Sequence, residues 1–429
     1  MRKSVQRVIE MKKIKKIIKI LGPGFITGAS DDDPSGIATY SQTGAQFGYN
    51  QLWTALFSFP FMTVIQEMCG RIGVVTGKGL AGVIRKHYMR PVLSMAVLLL
   101  VVANTINIGA DLGAMASSGQ LVLHIPFVVL LFGMTLVTLF LEVFVSYKVY
   151  AKFLKYLTFA LLAYIFTVLI IKQDWSRIFF ATFVPSFSFT KEYLMSIVAI
   201  LGTTISPYLF FWQADEEVEE EVAEGKLRQM GAGIPRVNRK DIRLMRLDTV
   251  VGMFFSNLVM FFIIVTTAST LGAAGIRNIE TADQAALALK PLAGDFAFLL
   301  FALGIIGTGL LAVPILAGSA SYAISEAFGW REGLYRKFTQ AHGFYAVIAI
   351  ATLVGLFINF TSIKPFQMLY YTAIFNGICA PPLLILIMLI GNNKKIMGEH
   401  TNSNFSNIIG WTITAVMTIA SVALLFTLI

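Results

Sequence analysis

The feature that most constrains this chain is a series of apolar segments, each long enough to cross a membrane as a helix. A window of about 20 residues finds eleven of them. They are 22–48, 51–75, 92–120, 126–145, 150–171, 193–222, 247–270, 294–325, 341–360, 365–390 and 407–428. Only 14% of the 429 residues are charged, compared with about 25% in soluble domains, so lipid is the solvent that this composition requires. The sequence therefore predicts an all-α membrane protein with eleven transmembrane helices.

The positions of lysine and arginine predict how the chain is oriented in the membrane. If the N-terminus is inside, the inner segments carry 28 of the 34 basic residues, as the positive-inside rule requires. The net charge of +10 is thus explained by topology, and nucleic acid is not expected as a partner. We predict a multi-pass protein of the cell (inner) membrane, with a basic cytoplasmic segment at 1–21 and the C-terminus outside.

Two of the eleven segments contain residues that interrupt a helix. The first contains Asp31-Asp32-Asp33-Pro34-Ser35-Gly36, and the sixth contains Gly202-Thr203-Thr204-Ile205-Ser206-Pro207-Tyr208. Proline removes a backbone donor and glycine loosens the turn, so each break frees carbonyl groups. Freed carbonyls beside carboxylates form an oxygen-lined cation site. The alternative is an external loop with solvated acids, but each half of the first segment is then too short to cross the membrane.

The two interrupted segments open two successive sets of five, and this arrangement is typical of inverted-repeat transporters with a site at the midplane. We therefore predict a first repeat at 22–171 and a second at 193–390, with a cytoplasmic loop at 225–246. An extra eleventh helix follows at 407–429. The acidic run 215–224 is interpreted as a solvated helix end, which is the usual place for a run of charges.

Four short motifs occur in a fixed order in the first part of the chain. They are Gly22-Pro23-Gly24-Phe25, Asp33-Pro34, Gly44-Ala45-Gln46-Phe47-Gly48-Tyr49 and Arg71-Ile72-Gly73-Val74-Val75-Thr76-Gly77-Lys78. Together they resemble the Nramp family of divalent-metal transporters. The resemblance implies a LeuT-type 5+5 inverted repeat, with helices 1 and 6 broken at mid-membrane. It also implies a divalent metal ion as the substrate and no cofactor.

The chain departs from the family pattern at the site itself. The family's Asp-Pro-Gly-Asn is Asp33-Pro34-Ser35-Gly36 here, and its Ala-x-x-Met followed by Pro-His becomes Thr203, Ser206 and Pro207-Tyr208. The pattern is more similar to the Nramp-related branch associated with magnesium, so we expect Mg²⁺ as substrate and Mn²⁺ as a second one. The predicted metal-site residues are Asp33, Asp32, Gly36, Thr203, Ser206 and Asn376. For Asn376, a helix-packing role is an equal alternative.

Three polar residues in the third segment lie on one helix face, because they are spaced by three and four. They are Asn104, Asn107 and Asp111, and with Tyr208 they form a predicted proton or polar pathway. Interhelical hydrogen bonding is the alternative for the two asparagines. In the family pattern an acid follows three residues after Asp111, but this chain has Ala114 there. Coupling to protons is therefore expected to be weak or absent.

The sequence leaves three alternatives to a magnesium transporter. The first is a proton-coupled Mn²⁺/Fe²⁺ symporter of the standard Nramp type. The second is an organic-solute symporter of the same fold, although that class usually keeps the first break neutral. The third is a membrane-embedded enzyme or receptor, for which the sequence has no nucleophile elbow, phosphate-binding loop, zinc motif or kinase signature, and no sizeable soluble domain. The sequence leaves open whether the protein is a monomer or a dimer.

Overall fold

The computed structural model describes residues 22–145 and 158–428, and every regular element within them is helical. The basic segment 1–21 and the basic residues of 148–155 lie outside the described residues. We number the α-helices in chain order. They are α1 (Pro23–Asp31), α2 (Pro34–Phe47), α3 (Trp53–Thr76), α4 (Leu80–His87), α5 (Arg90–Leu123), α6 (Phe127–Phe144), α7 (Leu162–Ile170), α8 (Trp175–Phe183), α9 (Lys191–Thr204), α10 (Pro207–Ala223), α11 (Arg239–Thr267), α12 (Ala282–Ala286), α13 (Lys290–Ala293), α14 (Ala297–Phe328), α15 (His342–Ile358), α16 (Pro365–Asn392), α17 (Lys394–Met397) and α18 (Asn404–Leu428).

Seven helical stretches of the described chain are long and apolar enough to cross a membrane. They are Arg90–Leu123, Phe127–Phe144, Lys191–Ala223, Arg239–Gly272, Ala282–Phe328, Pro365–Asn392 and Asn404–Thr427. The apolar helices Phe159–Ile170 and His342–Ile358 are shorter. Each predicted segment coincides with helix, the fifth only in its described part. The all-α class is confirmed, and the number of eleven crossings remains a prediction.

Both predicted helix breaks are present. The first helix stops at Asp31, and Asp33 has the extended backbone (φ −66°, ψ 171°) of an N-cap before Pro34 begins α2. The second break has the same form, because Ser206 is extended (φ −80°, ψ 136°) and Pro207 begins α10. Proline is suited to the first position of a helix, where its missing N–H has no helical partner in any case. At both breaks, a proline is therefore the first residue of the second half-helix.

The predicted cytoplasmic loop 225–246 is too long, because α11 already begins at Arg239. The Asn238 side chain accepts hydrogen bonds from the backbone N–H groups of Lys240 and Asp241, and the Asp241 carboxylate accepts one from Asn238 N at 3.0 Å. This reciprocal arrangement is a capping box, which stabilises a helix start. Four of the seven basic residues of this segment therefore lie in the first turns of a capped helix: Arg239, Lys240, Arg243 and Arg246.

Close backbone contacts fix where the broken helices lie. In α1, a Cβ added to Gly28 would lie 2.3 Å from the Gly252 carbonyl carbon of α11, so the two backbones are in contact. The Asp248 carboxylate of α11 also accepts hydrogen bonds from the N–H groups of Gly22 (2.9 Å) and Gly24 (2.8 Å). In α9, a Cβ on Gly202 would lie 2.1 Å from the Ala373 carbonyl oxygen of α16. Each broken helix is thus held against a continuous one, with its break buried.

Candidate metal site

Asp33 is fixed at the first break by three hydrogen bonds. Its Oδ1 accepts from the Gly36 N–H and the Ser35 hydroxyl, both at 2.7 Å, and its Oδ2 accepts from the Asn107 side-chain amide at 3.0 Å. The first two donors belong to the first turn of α2, and the third comes from α5. A carboxylate has about four acceptor positions, so this one is oriented by the protein and keeps capacity for a ligand.

The neighbouring acids have different surroundings. Asp31 Oδ2 accepts a hydrogen bond of 2.5 Å from the Ser256 hydroxyl of α11, while Asp31 Oδ1 and Asp32 Oδ1 have no hydrogen-bond partner in the described part of the chain. The exposed fractions of Asp31 and Asp32 are 0% and 3%. The alternative of a solvated external loop is therefore excluded. These carboxylates are buried, and their hydrogen-bonding capacity is only partly used.

The carboxylates alone do not form a metal cage. In residues 22–145 and 158–428, no three His, Cys, Asp or Glu side chains are arranged to hold a metal ion. A metal at the break would thus be held by one or two carboxylates, and carbonyl, hydroxyl and water oxygens would complete its shell. Mg²⁺ is usually bound in this way, because it dehydrates reluctantly and keeps several waters.

Gly36 is the point where the two breaks meet. A Cβ on this residue would lie 3.1 Å from the Asp31 carbonyl oxygen and 3.3 Å from the Thr203 hydroxyl of α9. A freed carbonyl of the first break and a hydroxyl of the second therefore face the same small space. A residue larger than glycine at this position would fill that space.

The other polar groups of the second break are engaged in hydrogen bonds. The Ser206 hydroxyl is within 2.7 Å of the carbonyl oxygens of Gly202 and Thr203, to which it donates. The Tyr208 hydroxyl donates to the Ser30 carbonyl oxygen at 3.0 Å, and so connects α10 to the end of α1. Tyr208 thus acts as a bridge between the two broken helices in this structure.

The predicted polar face of α5 is divided between two roles. Asn107 donates to Asp33, whereas Asn104 donates to the Leu316 carbonyl at 2.8 Å and the Ser319 hydroxyl at 2.6 Å, both on α14. Asp111 is fully buried one turn beyond Asn107, and neither of its carboxylate oxygens has a partner among the described residues. Asn104 therefore joins two helices, while Asn107 contacts the first break.

Two further residues complete the surroundings of the breaks. Asn376 is buried in α16, where the adjacent Gly377 contacts Gly202 of α9, and its Nδ2 has no partner within the described ranges. Met115 was not among the residues predicted from the sequence. A Cβ added to Gly309 would lie 2.5 Å from the Met115 sulfur and 3.4 Å from the Pro34 ring, so this thioether packs close to the first break. Met115 is four residues after Asp111, so the two share a helix face, and this spacing could have predicted its position.

The interpretation of the acidic run 215–224 as a solvated helix end is wrong. Five carboxylate side chains of this run are between 0% and 7% exposed. They are Asp215, Glu216, Glu217, Glu219 and Glu221. The reason is tertiary, since α10 lies between α3, α4 and α14 and these helices cover its acidic face.

The family model for natural resistance-associated macrophage protein-like (Nramp) proteins matches residues 24–427. The chain belongs to the Nramp family. Members of this family transport divalent metals as their substrate without a cofactor, so the chain is a multi-pass transporter of divalent metal cations and not an enzyme. The predictions of the family and of the class of substrate are confirmed.

Two relatives illustrate this membership. The divalent metal cation transporter MntH of Caldanaerobacter subterraneus subsp. tengcongensis is 26% identical over 423 residues, which cover 96% of this chain and 94% of that protein. The divalent metal cation transporter MntH of Klebsiella pneumoniae subsp. pneumoniae is 26% identical over 415 residues, covering 95% and 93%. The match therefore extends over nearly the whole length of both proteins.

Solved structures support the fold. A crystal structure of the Eremococcus coleocola manganese transporter, in complex with an aromatic bis-isothiourea substituted compound, has a TM-score of 0.73 at 16% identity. The alignment covers 95% of this chain and 86% of the manganese transporter chain. The inward-facing conformation of Mhp1 has a TM-score of 0.55 at 12% identity, with 95% and 91% covered. The predicted LeuT-type fold is thus confirmed.

We expect Asn107→Ala and Asn104→Ala to have different effects, although the two residues are neighbours on α5. Asn107→Ala removes the donor to Asp33 Oδ2, and loss of such an orienting partner typically costs roughly 10–100-fold in metal affinity. Asn104→Ala removes contacts to α14, so it should lower the melting temperature and leave affinity near wild type. The measurements are half-saturating metal concentration in proteoliposomes and thermal stability of the purified protein. Equal affinity losses in both variants would contradict this division.

Proposed function

We propose that this Nramp protein carries Mg²⁺ across the inner membrane by alternating access, with Mn²⁺ as a second substrate, and binds the ion between the two helix breaks. The observation that supports this most strongly is the meeting of the breaks at Gly36. The Asp31 carbonyl oxygen and the Thr203 hydroxyl lie 3.1 and 3.3 Å from the position that a Cβ on Gly36 would occupy. The buried carboxylates of Asp32 and Asp33 belong to the first break.

The kinds of donor atom support a hard cation. The family pattern places a methionine at the position of Ser206 and an asparagine at that of Gly36, so a soft thioether and a bulky amide are both replaced. Thioether ligands favour soft metals, whereas oxygen ligands suit Mg²⁺ and Mn²⁺. The space at Gly36 also suits an ion that keeps part of its water shell.

A cavity of about 230 Å³ lies beside α2, the helix that begins at the first break. Ala38 and Gln42 of α2 line it. Glu192 contributes a carboxylate to the wall, whereas the Glu280 carboxylate there is paired with the Lys364 ammonium at 2.5 Å. Negative charge around a cleft raises the local concentration of cations. From the positive-inside distribution of lysine and arginine, we propose that this side is external and that the N-terminus is cytoplasmic.

The test of this function is Mg²⁺ uptake into proteoliposomes that contain the purified protein. Wild type should accumulate Mg²⁺ under an inside-negative potential, which supplies ~4.6 kcal/mol for a dication at about 100 mV. Asp33→Ala should abolish uptake, because it removes the charge that offsets dehydration of the ion. Asp174→Asn, which alters the exposed N-cap of α8, is the control and should transport normally. Near wild-type uptake by Asp33→Ala would place the site elsewhere.

Selectivity is expected to depend on Ser206. Ser206→Met restores a thioether at the second break, so it should raise Cd²⁺ binding and lower Mg²⁺ flux. Ser206→Ala removes the hydroxyl without adding sulfur, so it separates the two effects and should leave Cd²⁺ binding weak. A panel of Mg²⁺, Mn²⁺, Ca²⁺ and Cd²⁺ measures this in the same liposomes. Tight Cd²⁺ binding by wild type, together with no Mg²⁺ flux, would favour a standard transition-metal transporter with Met115 as the soft atom.

Metal transport is proposed to be uncoupled, or only weakly coupled, to protons. Tyr208 stands where the family pattern has a histidine, and its hydroxyl is engaged with the Ser30 carbonyl. An unperturbed phenol has a pKa of about 10, which makes it a poor proton relay at neutral pH. The second relay position is Ala114.

One observation favours the alternative of a proton-coupled Mn²⁺/Fe²⁺ symporter. Asp111 is a buried carboxylate without a hydrogen-bond partner in the described chain, and intramembrane acids of this kind often relay protons. We expect internal pH to stay constant during metal uptake at a fixed potential. Acidification that follows the metal dose and disappears in Asp111→Asn would establish the symporter instead.

A further inference from the structure

The buried acidic residues of α10 form a second concentration of negative charge, separate from the helix breaks. Most of these side chains have partners of their own. Glu217 accepts from the Gln213 amide at 2.8 Å, and Glu219 accepts from the Tyr322 hydroxyl at 2.6 Å and the Leu334 N–H at 2.5 Å. Asp215 is the exception, because it is fully buried and neither carboxylate oxygen has a hydrogen-bond partner in the described ranges.

Asp215 lies beside a second carboxylate, Glu326 of α14. Glu326 accepts hydrogen bonds of 2.7 Å from the N–H groups of Gly79 and Gly82, at the start of α4. A Cβ added to Gly79 would lie 1.8 Å from Asp215 Oδ1 and 2.7 Å from Glu326 Oε2. Both carboxylates therefore rest against the Cα of the same glycine, and the fold holds them side by side.

The basic side chains nearby do not neutralise Asp215. The Lys78 ammonium donates to the Gly231 carbonyl at 2.5 Å, and the Arg85 guanidinium donates to the backbone carbonyl of Glu326 at 3.0 Å. Burial, and after it the Glu326 charge, raises the pKa of the loop residue Glu332 to about 9. A buried carboxylate next to another is stabilised either by a counter-charge or by a proton that the two share.

A cavity adjoins the Glu326 member of this pair. Its volume is about 620 Å³, and its charged lining residues are Glu326, Glu332, Lys78, Arg85, Lys86, Arg331 and Arg336. Asp215 is fully buried beside Glu326 and does not line this cavity. Asp215 is eight residues beyond Pro207 on α10, about 12 Å along the helix from the second break at 1.5 Å per residue. The distribution of basic residues predicts that this face is cytoplasmic, which places the pair between the transport site and the inner solution.

We propose that Asp215 and Glu326 form a second, weaker site for a hydrated divalent cation, on the release side of the transport site. Two carboxylates with water completing the shell are a common protein environment for Mg²⁺. The dication supplies the missing counter-charge, and its coordinated waters occupy the adjoining cavity. This proposal rests on the proposed direction of transport for its role in release, but the site itself is tested by binding alone.

The experiment counts bound ions on the full-length purified protein, with Mn²⁺ as the probe and the loss of its free-ion electron paramagnetic resonance signal as the readout. Asp33→Ala should lose the transport-site ion and retain one weakly bound ion. The double variant Asp33→Ala/Asp215→Asn should lose that ion as well. The matched control Asp33→Ala/Glu217→Gln removes one buried negative charge from the same helix and should keep it.

Weak binding that is unchanged by Asp215→Asn would overturn the proposal, as expected if the pair shared a proton instead of a metal. Size-exclusion profiles and melting temperatures check that each variant is folded. If the Asp215 variant is not recovered folded, Glu326→Gln in the Asp33→Ala background provides the same test, because the amide oxygen can still accept one of the two hydrogen bonds from the start of α4. Failure of the proposed transport function would appear separately, as absent Mg²⁺ flux in wild type.

Discussion

The structure depends on the burial of carboxylates at a place where the main chain is not helical. An uninterrupted helix has no free backbone donors in its interior, whereas the first turn of a new helix offers several. The break after Asp31 therefore supplies the Gly36 N–H that holds Asp33, and it also frees the Asp31 carbonyl that faces Thr203. The same interruption of the helix thus provides both the donor that orients Asp33 and, in the proposed function, an oxygen ligand for the transported ion.

The two breaks share a backbone form but differ in chemistry. The first carries the charge, and its acids are only partly satisfied by donors from α2, α5 and α11. The second is neutral, and the Ser206 hydroxyl is within hydrogen-bond distance of two of its own carbonyl oxygens. In the proposed function, this asymmetry means that the first break attracts the cation, while the second break contributes neutral oxygens.

Features encoded by a few adjacent residues could be predicted from the sequence. The proline positions gave both breaks, and the apolar segments gave the helices. The division between Asn107 and Asn104 could not be predicted, because residues three apart on one face contact different helices here. The burial of 215–224 could not be predicted either, since α4 and α14 cover this run from distant parts of the chain. The start of α11 was missed because its capping box consists of residues that also occur in loops.

The contact between α1 and α11 constrains how the protein moves. Helices usually slide on ridges of side chains that fit into grooves, but at Gly28 and Gly252 the two backbones touch directly. Asp248 adds hydrogen bonds to the first N–H groups of the chain segment that begins α1. A shift of α1 along α11 would bring larger side chains into this contact, so the two helices can pack this closely only in the present register. Movement of the first half-helix alone would therefore require it to separate from α11, whereas movement together with α11 would preserve the contact.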